Sequence, residues 1–376
     1  MARIAIDCRS MHRGQGGIGR YADELTRALG QIGSAHEYEL IHGASLPDGF
    51  DHAPPDPPHV RRHAFEAGMI DPRWEQLHLA TELERLEADL YHATCFALPI
   101  ARGQTKTVAT VHDVVFRAHP EWVEDPLRAY LDRWTEISLE IADRIVTVSE
   151  WSKAEIVRCY GVAPERITVI HNGVSARFGP RTVEEQAACR QRHELPDAFA
   201  LYLGAIEPKK NLDLVLDAYR ILGDRGSVYV PPLVLAGARG GQAYDLERAI
   251  RDRGLASCVR ALGYVPDADV PALLASARLF VYPSRYEGFG LPILEAFASG
   301  TPVVAARASA TPELTGPAAI LVDPDGAEAL ADAIDVLHGD ERTRERLRAA
   351  GRERAAHFTW VACARAHLAL YERVLA

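Results

Sequence analysis

Short apolar segments alternate with longer amphipathic segments along the whole chain, and this alternation constrains the fold more than any other feature. The first half contains six such apolar segments, at residues 3–7, 38–42, 89–92, 107–112, 145–149 and 167–171. The second half contains six more, at residues 200–204, 233–237, 259–262, 279–282, 302–305 and 319–322. Between them lie segments of helical length, such as 21–29, 129–142, 212–222 and 327–337. Unbroken apolar strands are typical of sheets buried on both faces, so the pattern predicts an α/β protein with doubly wound parallel sheets.

The alternation is interrupted near the middle of the chain, by a polar segment from about residue 175 to 197 that contains Pro180 and Pro196. A length of 376 residues is more typical of two domains than of one. We therefore predict two facing Rossmann-like domains, at residues 1–180 and 198–358. Ligands of doubly wound sheets bind beside the carboxyl ends of the strands, so the site is expected in an interdomain cleft.

The composition argues against several classes of protein. A formal net charge of −10 is unlike that of a general nucleic-acid-binding protein, which presents a basic face. The six cysteines include no C-x-x-C pair, so neither a zinc knuckle nor a redox pair is expected. We see neither a signal peptide nor the run of about 18 apolar residues that a membrane span needs. We expect a cytoplasmic protein, with contact to the inner face of the membrane left open, and an exposed loop in the proline-rich segment 47–58.

The most specific motif is the string EGFGLPILE, from Glu287 to Glu295, which follows a predicted strand. Its proline suits the first turn of a helix, so the string predicts a glycine loop that leads into a helix. The backbone N–H groups of Phe289, Gly290 and Leu291 would then face a ligand, where the helix dipole favours an anion. The two carboxylates can accept hydrogen bonds from several sugar hydroxyls at once. Either glutamate alone is explained as well by an acidic loop or by a favourable interaction with the helix dipole.

The E-x7-E spacing with an internal GFGLP resembles the signature of the retaining glycosyltransferases of family 4, which have the GT-B architecture. Other motifs occur in matching order along nearly the whole chain: GGIGRY at 16–21, HD at 112–113, VSE at 148–150, HNGV at 171–174 and YLGAIEPKKN at 202–211. Within the family, the chain is most similar to bacterial mannosyl- and rhamnosyltransferases of surface-polysaccharide and natural-product pathways.

This resemblance implies that the C-terminal domain binds a nucleoside diphosphate sugar. By the family pattern, Glu295 binds the nucleotide ribose and Glu287 binds hydroxyls of the donor sugar. Lys210 matches the lysine that holds the diphosphate, as a compact positive charge should. Many members carry an arginine where Ala205 stands in this chain. Lys209 is the candidate for the missing second charge, although it could simply face water.

The glycines near the N-terminus allow two interpretations. Gly14, Gly16 and Gly19 have the G-x-G-x-x-G spacing of a dinucleotide site. In such sites the glycines follow their strand directly, whereas here several residues intervene, which argues against a nicotinamide cofactor. The resemblance instead implies that the amides of Gly16 and Gly17 lie near the donor phosphates.

His112 closes the predicted strand 107–112 at its carboxyl end, where site residues of such sheets lie. By resemblance, its ring contacts the donor sugar beside the anomeric carbon, and Asp113 is expected to orient the ring. We do not assign His112 as a general base, because a retaining enzyme of this kind can use the leaving phosphate. The resemblance also implies that residues 359–376 form a helix that crosses back onto the N-terminal domain, which binds the acceptor.

Two D-x-D strings, at 267–269 and 323–325, match the metal-binding pattern of the other large glycosyltransferase fold. Both precede predicted helices, so we interpret them as helix N-caps and expect no obligatory metal. No cofactor is expected besides the nucleotide sugar, which is a co-substrate. Val265, just after the predicted strand 259–262, is a candidate wall for the nucleotide base.

We therefore predict a hexosyltransferase that moves a mannose-type or 6-deoxyhexose unit from a nucleoside diphosphate sugar such as GDP-mannose, with retention. The expected acceptor is a hydroxyl of a sugar, a lipid-linked sugar or a natural product. Two alternatives stay open from the sequence. One is a nucleotide-sugar epimerase of the same fold, and the other is a degenerate partner subunit, for which Ala205 is the only support.

Overall fold

The computed structural model describes residues 1–11, 16–33, 35–43, 57–226, 230–238, 240 and 244–376. The chain forms two compact units. Unit 1 comprises Met1–Pro120, Asp125–Gly173 and Thr359–Ala376, and unit 2 comprises Glu121–Glu124 and Val174–Phe358. Arg13, Gly14 and residues 47–56 of the proline-rich segment lie outside the described residues.

The described part of unit 1 is built on one seven-stranded parallel sheet. Its strands, in chain order, are β1 (Arg3–Asp7), β2 (Glu37–Gly43), β3 (Val60–Phe65), β4 (Leu90–Ala93), β5 (Lys106–Thr110), β6 (Arg144–Thr147) and β7 (Ile167–Val169). Their spatial order is β3-β2-β1-β4-β5-β6-β7. Since the chain begins at β1, runs to one edge and resumes at β4, the strand order reverses between β1 and β4.

Six α-helices accompany this sheet within the described residues. They are α1 (Gly17–Ile32), α2 (Leu79–Arg85), α3 (Val115–Ala118), α4 (Asp125–Ile141), α5 (Glu150–Tyr160) and, at the C-terminus, α14 (Trp360–Leu375). Helix α14 packs against α1. β4 is buried at all four positions, and β1 and β5 at all but their first, as the prediction of a sheet covered on both faces requires.

Unit 2 contains a six-stranded sheet in its described part, again wholly parallel. The strands are β8 (Ala200–Leu203), β9 (Leu233–Ala236), β10 (Val259–Gly263), β11 (Leu279–Tyr282), β12 (Val303–Ala306) and β13 (Ala319–Val322). The helices are α6 (Val183–Arg192), α7 (Leu212–Asp224), α8 (Leu246–Asp252), α9 (Val270–Ser276), α10 (Leu291–Ala298), α11 (Thr311–Thr315), α12 (Ala327–Gly339) and α13 (Glu341–Ala356). The spatial order, β10-β9-β8-β11-β12-β13, reverses between β8 and β11.

All twelve predicted strands are present, but the prediction missed β3. Its sequence, VRRHAF, has polar residues where the other strands are apolar. β3 lies at the edge of the sheet, and its polar side chains bind a carboxylate of the neighbouring strand β2. Arg61 Nη1 lies 3.0 Å and His63 Nε2 lies 2.6 Å from the two oxygens of Glu39. These polar contacts take the place of the apolar contacts from which the other strands were predicted.

The polar segment 175–197, predicted as a linker, contains helix α6. Thr182 and Glu185 form a capping box at its start, in which each side chain accepts a hydrogen bond from the backbone N–H of the other. The boundary between the two units falls earlier, between Gly173 and Val174. Among the described helices, none is both long and apolar enough to cross a membrane.

Candidate functional site

In unit 2, the predicted donor-site residues follow the two strands between which the strand order reverses. Lys209 and Lys210 lie in a short 3-10 turn after β8, and Glu287 lies in the loop after β11. β8 and β11 are parallel neighbours, so their carboxyl ends meet at the same edge of the sheet. This is the position at which doubly wound sheets bind their ligands.

Lys210 and Glu287 form a direct ion pair. The Nζ atom of Lys210 lies 2.6 Å from Oε1 of Glu287, and the two side chains are 14% and 12% exposed. The same Nζ lies 5.7 Å from the centre of the Tyr282 ring. Burial disfavours a charged Glu287, but the charges of Lys210 and then Lys209 outweigh burial and hold the pKa of this carboxyl below its usual value. Glu287 is therefore an ionised hydrogen-bond acceptor at neutral pH.

Lys209 carries the second positive charge near this pair. Its Nζ lies 3.7 Å from a carboxylate oxygen of Glu207, and its backbone carbonyl accepts a hydrogen bond from the Arg285 N–H at 2.9 Å. Ala205, which replaces the arginine of many family members, accepts a hydrogen bond from the Tyr202 hydroxyl through its backbone carbonyl, at 2.7 Å. The two lysines are thus the cations that the loop after β8 brings to the carboxyl ends of β8 and β11.

The glycine loop leads into α10, as the sequence predicts. Gly290 is the N-cap residue with φ 105°, a backbone conformation that favours glycine, and Leu291 begins the helix. The ring of Phe289 packs edge-on against that of Phe358, with 5.9 Å between the ring centres. Glu295 lies in the second turn of α10 and is only 2% exposed.

Two residues that sequence reasoning left without a role hold this loop in place. The Ser309 hydroxyl accepts a hydrogen bond from the backbone N–H of Glu287 at 2.9 Å. The Asn211 side-chain amide donates to the carbonyls of Pro283 and Pro324, at 3.3 and 2.8 Å. Asn211 and Ser309 both have positive φ values, 57° and 50°, which are uncommon outside glycine. Asn211 is the last residue of the motif YLGAIEPKKN, so the sequence could have indicated a role for it in the candidate site.

In unit 1, His112 lies two residues beyond the end of β5, whereas the prediction placed it at the end of the strand. Its Nε2 atom lies 2.9 Å from the backbone carbonyl of Thr94, which follows β4. A carbonyl only accepts, so Nε2 carries the proton and Nδ1 is the acceptor. Asp113 was expected to orient the ring, but its carboxylate instead accepts a hydrogen bond from the Val115 N–H.

The His112 ring is enclosed by aromatic side chains. Tyr21 meets it edge to face, with 4.8 Å between ring centres and an angle of 85°, and Phe96 lies 6.2 Å away. Burial lowers the pKa of His112, and the opposing effect of the Thr94 carbonyl is smaller. The ring is therefore neutral at neutral pH, with one acceptor position defined by its tautomer.

Gly16 and Gly17 stand at the start of α1 in unit 1. Gly16 is the N-cap residue and Gly17 is the first residue of the helix, and both are exposed. Gly14, the first glycine of the G-x-G-x-x-G spacing, lies outside the described residues. The first N–H groups of a helix have no acceptor within it, so these amides face outward from α1.

The remaining predictions concern unit 2. Val265 is buried after β10, whereas the neighbouring Tyr264 is 57% exposed.

Asp269 occupies the N-cap position of α9 without making the capping hydrogen bond, because its carboxylate is bound by Arg192 and His193. Asp325 bonds to Arg285 at 2.5 Å, and Gly326 is the N-cap of α12. Both D-x-D strings therefore lie at helix starts, as predicted, but Asp269 makes no capping hydrogen bond and Asp325 precedes the N-cap residue of α12.

Two family models match the chain. Residues 15–178 match "Glycosyltransferase Family 4", and residues 185–354 match "Glycosyl transferases group 1". The chain is 34% identical to O-antigen chain mannosyltransferase B of Escherichia coli, over 92% of this chain and 93% of that protein. It is 30% identical to the MMP α-(1→4)-mannosyltransferase of Mycolicibacterium hassiacum, over 96% and 95% of the two chains. These relatives are named as transferases, so neither the epimerase nor the degenerate subunit is favoured.

Solved structures share the fold over the full length of the chain. Sucrose-phosphate synthase from Thermosynechococcus elongatus has a TM-score of 0.77 at 23% identity, with 100% of this chain and 99% of that chain covered. HepE from Anabaena, solved with UDP and glucose, also has a TM-score of 0.77, at 20% identity, over 99% and 100% of the two chains. Both are similar in fold alone. Together with the full-length relatives, they show that the chain belongs to glycosyltransferase family 4 and is a glycosyltransferase with the GT-B fold.

Proposed function

We propose that this glycosyltransferase transfers a mannosyl unit from a nucleoside diphosphate mannose to a hydroxyl of a growing glycan, with retention at the anomeric carbon. The observation that carries the proposal is the Lys210–Glu287 pair at the reversal point of the unit 2 sheet. The choice of mannose and of a glycan acceptor rests on the two full-length relatives, which are named as mannosyltransferases. GDP-mannose is the first donor to test.

In this proposal the diphosphate binds to Lys210 and Lys209. An ammonium group has three donors, so Lys210 can keep its bond to Glu287 while it also binds a phosphate oxygen. The two charges and the N-terminal amides of α10, from Phe289 to Leu291, neutralise the diphosphate, the task that a divalent cation performs in other transferases. The proposal therefore includes no obligatory metal.

Glu287 and Glu295 have different tasks in the proposed complex. Glu287 is ionised because of the neighbouring lysines, so it accepts hydrogen bonds from the hydroxyls of the donor sugar. Glu295, in the second turn of α10, binds the ribose, and Val265 packs against the base. Glu287 precedes the helix, so the glycine loop and the first turn of α10 lie between the carboxylate that binds the sugar and the carboxylate that binds the nucleoside.

His112 and the start of α1 supply the contacts from unit 1. The Nδ1 atom of the neutral ring accepts a hydrogen bond from a sugar hydroxyl, and the amides of Gly16 and Gly17 donate to phosphate oxygens. A neutral histidine that already donates to Thr94 has one acceptor position left, and the sugar occupies it. Within this proposal, His112 is a binding group and no proton passes through it.

In this proposal, retention at the anomeric carbon follows from which group takes the proton of the acceptor hydroxyl. An inverting enzyme needs a base on the face opposite the leaving group, and the proposal assigns both Glu287 and Glu295 to binding. The acceptor hydroxyl instead attacks from the side of the departing diphosphate and gives its proton to a phosphate oxygen. The bond between the anomeric carbon and the phosphate oxygen breaks as the new glycosidic bond forms, while Lys209 and Lys210 stabilise the charge on the diphosphate.

The experiment combines a binding screen with analysis of the product. A ligand present at about 100 times its Kd stabilises the folded protein by about 2.7 kcal/mol, so a thermal-shift panel of nucleoside diphosphates identifies the base. Transfer from the matching α-linked sugar nucleotide to a mannoside acceptor is then followed by proton NMR. We expect the first product to be the α anomer. A β-linked first product would refute retention, and transfer of another sugar but not of mannose would refute the choice of donor.

A further inference from the structure

A chain of buried polar side chains connects the C-terminal helix α14 to the sheet and to α1 in unit 1. Tyr371 OH lies 2.7 Å from His92 Nδ1, and His92 Nε2 lies 2.7 Å from Thr110 Oγ1. Thr110 Oγ1 lies 3.1 Å from Tyr21 OH. The five side chains that take part are fully buried: Tyr21, His92, Thr110, His367 and Tyr371. The chain therefore begins on α14, crosses β4 and β5, and reaches α1.

The chain returns from α1 to α14 through His367. Tyr21 OH lies 2.9 Å from His367 Nε2, and His367 Nδ1 lies 2.9 Å from the backbone carbonyl of Cys363. The carbonyl only accepts, so Nδ1 of His367 carries the proton. In the neutral ring Nε2 is then an acceptor, and the Tyr21 hydroxyl must donate to it.

The tautomer of His367 determines the position of every other proton in the chain of hydrogen bonds. Because the Tyr21 proton is used on His367, the Tyr21 oxygen accepts from the Thr110 hydroxyl. Because the Thr110 proton is used on Tyr21, Thr110 accepts from Nε2–H of His92. The remaining nitrogen of His92 then accepts from the Tyr371 hydroxyl. All the hydrogen bonds point the same way, and His92 and His367 hold opposite tautomers.

The one-way order requires both histidines to be neutral. Burial lowers the pKa of His92 far below its usual value, and burial lowers the pKa of His367 to about 4. A second proton on either ring would turn the facing tyrosine hydroxyl into an acceptor and take away the acceptor of its own proton, which breaks the one-way order at a cost in the buried interior. The arrangement holds the Tyr21 ring at one angle in the interior of unit 1.

The Tyr21 ring, which this chain of hydrogen bonds holds, also packs against His112, the candidate sugar-binding histidine. Its edge meets the His112 ring at 85° with 4.8 Å between centres, and His112 itself donates to the Thr94 carbonyl. We propose that Tyr21 is a positioning residue for His112, and that the one-way hydrogen-bond chain from α14 holds Tyr21 in the position that aims Nδ1 of His112 at the donor sugar. The role of Nδ1 rests on the proposed function. The C-terminal helix is thereby a part of the site in unit 1.

A kinetic experiment tests the positioning in the full-length enzyme. Tyr21→Leu removes the ring, and we expect kcat to fall about 10- to 100-fold while the donor KM changes less than about threefold. Tyr21→Phe keeps the ring but removes the hydroxyl that bonds Thr110 and His367, so we expect its kcat to lie between those of Tyr21→Leu and the wild type. A Tyr21→Phe enzyme with the kcat of the wild type would overturn the role of the hydrogen-bond chain. Tyr219 is an equally buried tyrosine in unit 2 whose hydroxyl donates to the Pro231 carbonyl at 2.9 Å, so Tyr219→Leu controls for the loss of a buried ring. A kcat for Tyr21→Leu no lower than that of the control overturns the proposal.

NMR of the protein labelled with 15N-histidine tests the geometry without any turnover. In the wild type we expect Nε2–H tautomers for His92 and His112 and an Nδ1–H tautomer for His367, with signals assigned by their loss in single His→Gln variants. An Nε2–H tautomer at His367 overturns the one-way chain. Tyr21→Leu is expected to shift the ring nitrogens of His112, and unchanged signals overturn the positioning role. A wild-type enzyme that shows these spectra but transfers no sugar would refute the proposed function alone.

Discussion

The Lys210–Glu287 pair makes each of the two residues costly to remove without the other. Both side chains are largely buried, and a buried charge left without its partner costs about 3–5 kcal/mol. Loss of Lys210 would also leave burial as the main influence on Glu287 and raise the pKa of its carboxyl. Glu287→Gln also removes the charge, but it keeps an oxygen that can accept from Nζ of Lys210, so it disturbs the pair less than truncation to alanine and is the better test.

Substitution of the two glutamates of the EGFGLPILE string is expected to impair two different properties of the enzyme. Glu287→Gln removes an acceptor for the sugar hydroxyls and should lower kcat with a small effect on the affinity for the free nucleoside diphosphate. Glu295→Gln weakens a hydrogen bond to the ribose, worth about 1.5–3 kcal/mol, and should reduce that affinity by about 10- to 100-fold. Calorimetric titration with the nucleotide and steady-state kinetics measure the two effects.

The control for this pair is Glu353→Gln, because Glu353 is an exposed glutamate of α13. It should match the wild type in both assays. Equal losses for Glu287→Gln and Glu295→Gln in both kcat and nucleotide affinity would contradict the division of roles.

The residues of the candidate site could be proposed from the sequence, but their contacts could not. The glutamates lie in one contiguous string and the lysines in another, so the local pattern was enough to identify them. Lys210 and Glu287 are 77 residues apart, and they meet only because β8 and β11 become neighbours where the strand order reverses. The partner of His112 is a backbone carbonyl, at Thr94, and a backbone group leaves no signal in the residue type.

At the scale of elements, the carboxyl ends of β8 and β9 approach so closely that one position excludes any side chain. A Cβ atom on Gly237 would lie 1.9 Å from the carbonyl oxygen of Gly204, which precedes the loop with the two lysines. Backbone cannot retreat as a flexible side chain can, so the strands would have to separate. The fit of these strand ends therefore supports the position of Lys209 and Lys210.

Gly237→Ala is expected to destabilise unit 2 by about 3 kcal/mol, at the upper end for an overpacked interior, and to weaken nucleotide binding. Gly223→Ala is the matched control. Gly223 lies in α7, and a Cβ atom added there would meet nothing within 4 Å beyond its own stretch of helix, so alanine should stabilise the helix by about 0.5–1 kcal/mol. Urea unfolding of both variants checks the opposite signs. Equal stability of the two variants would show that the strand ends can move apart freely.

The elements themselves were predictable wherever local apolar pattern decides the structure. The twelve apolar strands were found because a parallel sheet covered by helices demands continuous burial. β3 was missed because its arginine and histidine side chains bind Glu39 on the neighbouring strand, a contact between segments. Helix α6 was missed because its first turn is stabilised by a capping box, while its composition is as polar as that of a linker.

At the scale of the whole molecule, four buried histidines of the described part of unit 1 make its stability depend on pH. Burial lowers the pKa of His42, His92, His112 and His367. The unfolded chain takes up a proton at each histidine below about pH 6.5, whereas the folded unit does not. The unfolded state then binds more protons, so stability is greatest above about pH 6.5 and is lost as the pH falls.

His367 gives this dependence a defined range, because its pKa is lowered to about 4. The unfolded histidine is half protonated at about pH 6.5 and almost fully protonated at pH 5, so His367 should cost the folded unit about 1.5 kcal/mol over this range. His367→Gln removes the titrating group, so we expect its stability to fall by about 1.5 kcal/mol less than that of the wild type over this range. The opening free energy of α14, measured by hydrogen exchange of its backbone amides at about pH 6.5 and pH 5, reports this difference directly.

The control is His357→Gln, at an exposed histidine, whose stability should depend on pH as that of the wild type does. A His367→Gln protein that loses as much stability as the wild type between these two pH values would show that the C-terminal helix does not hold a neutral histidine against α1.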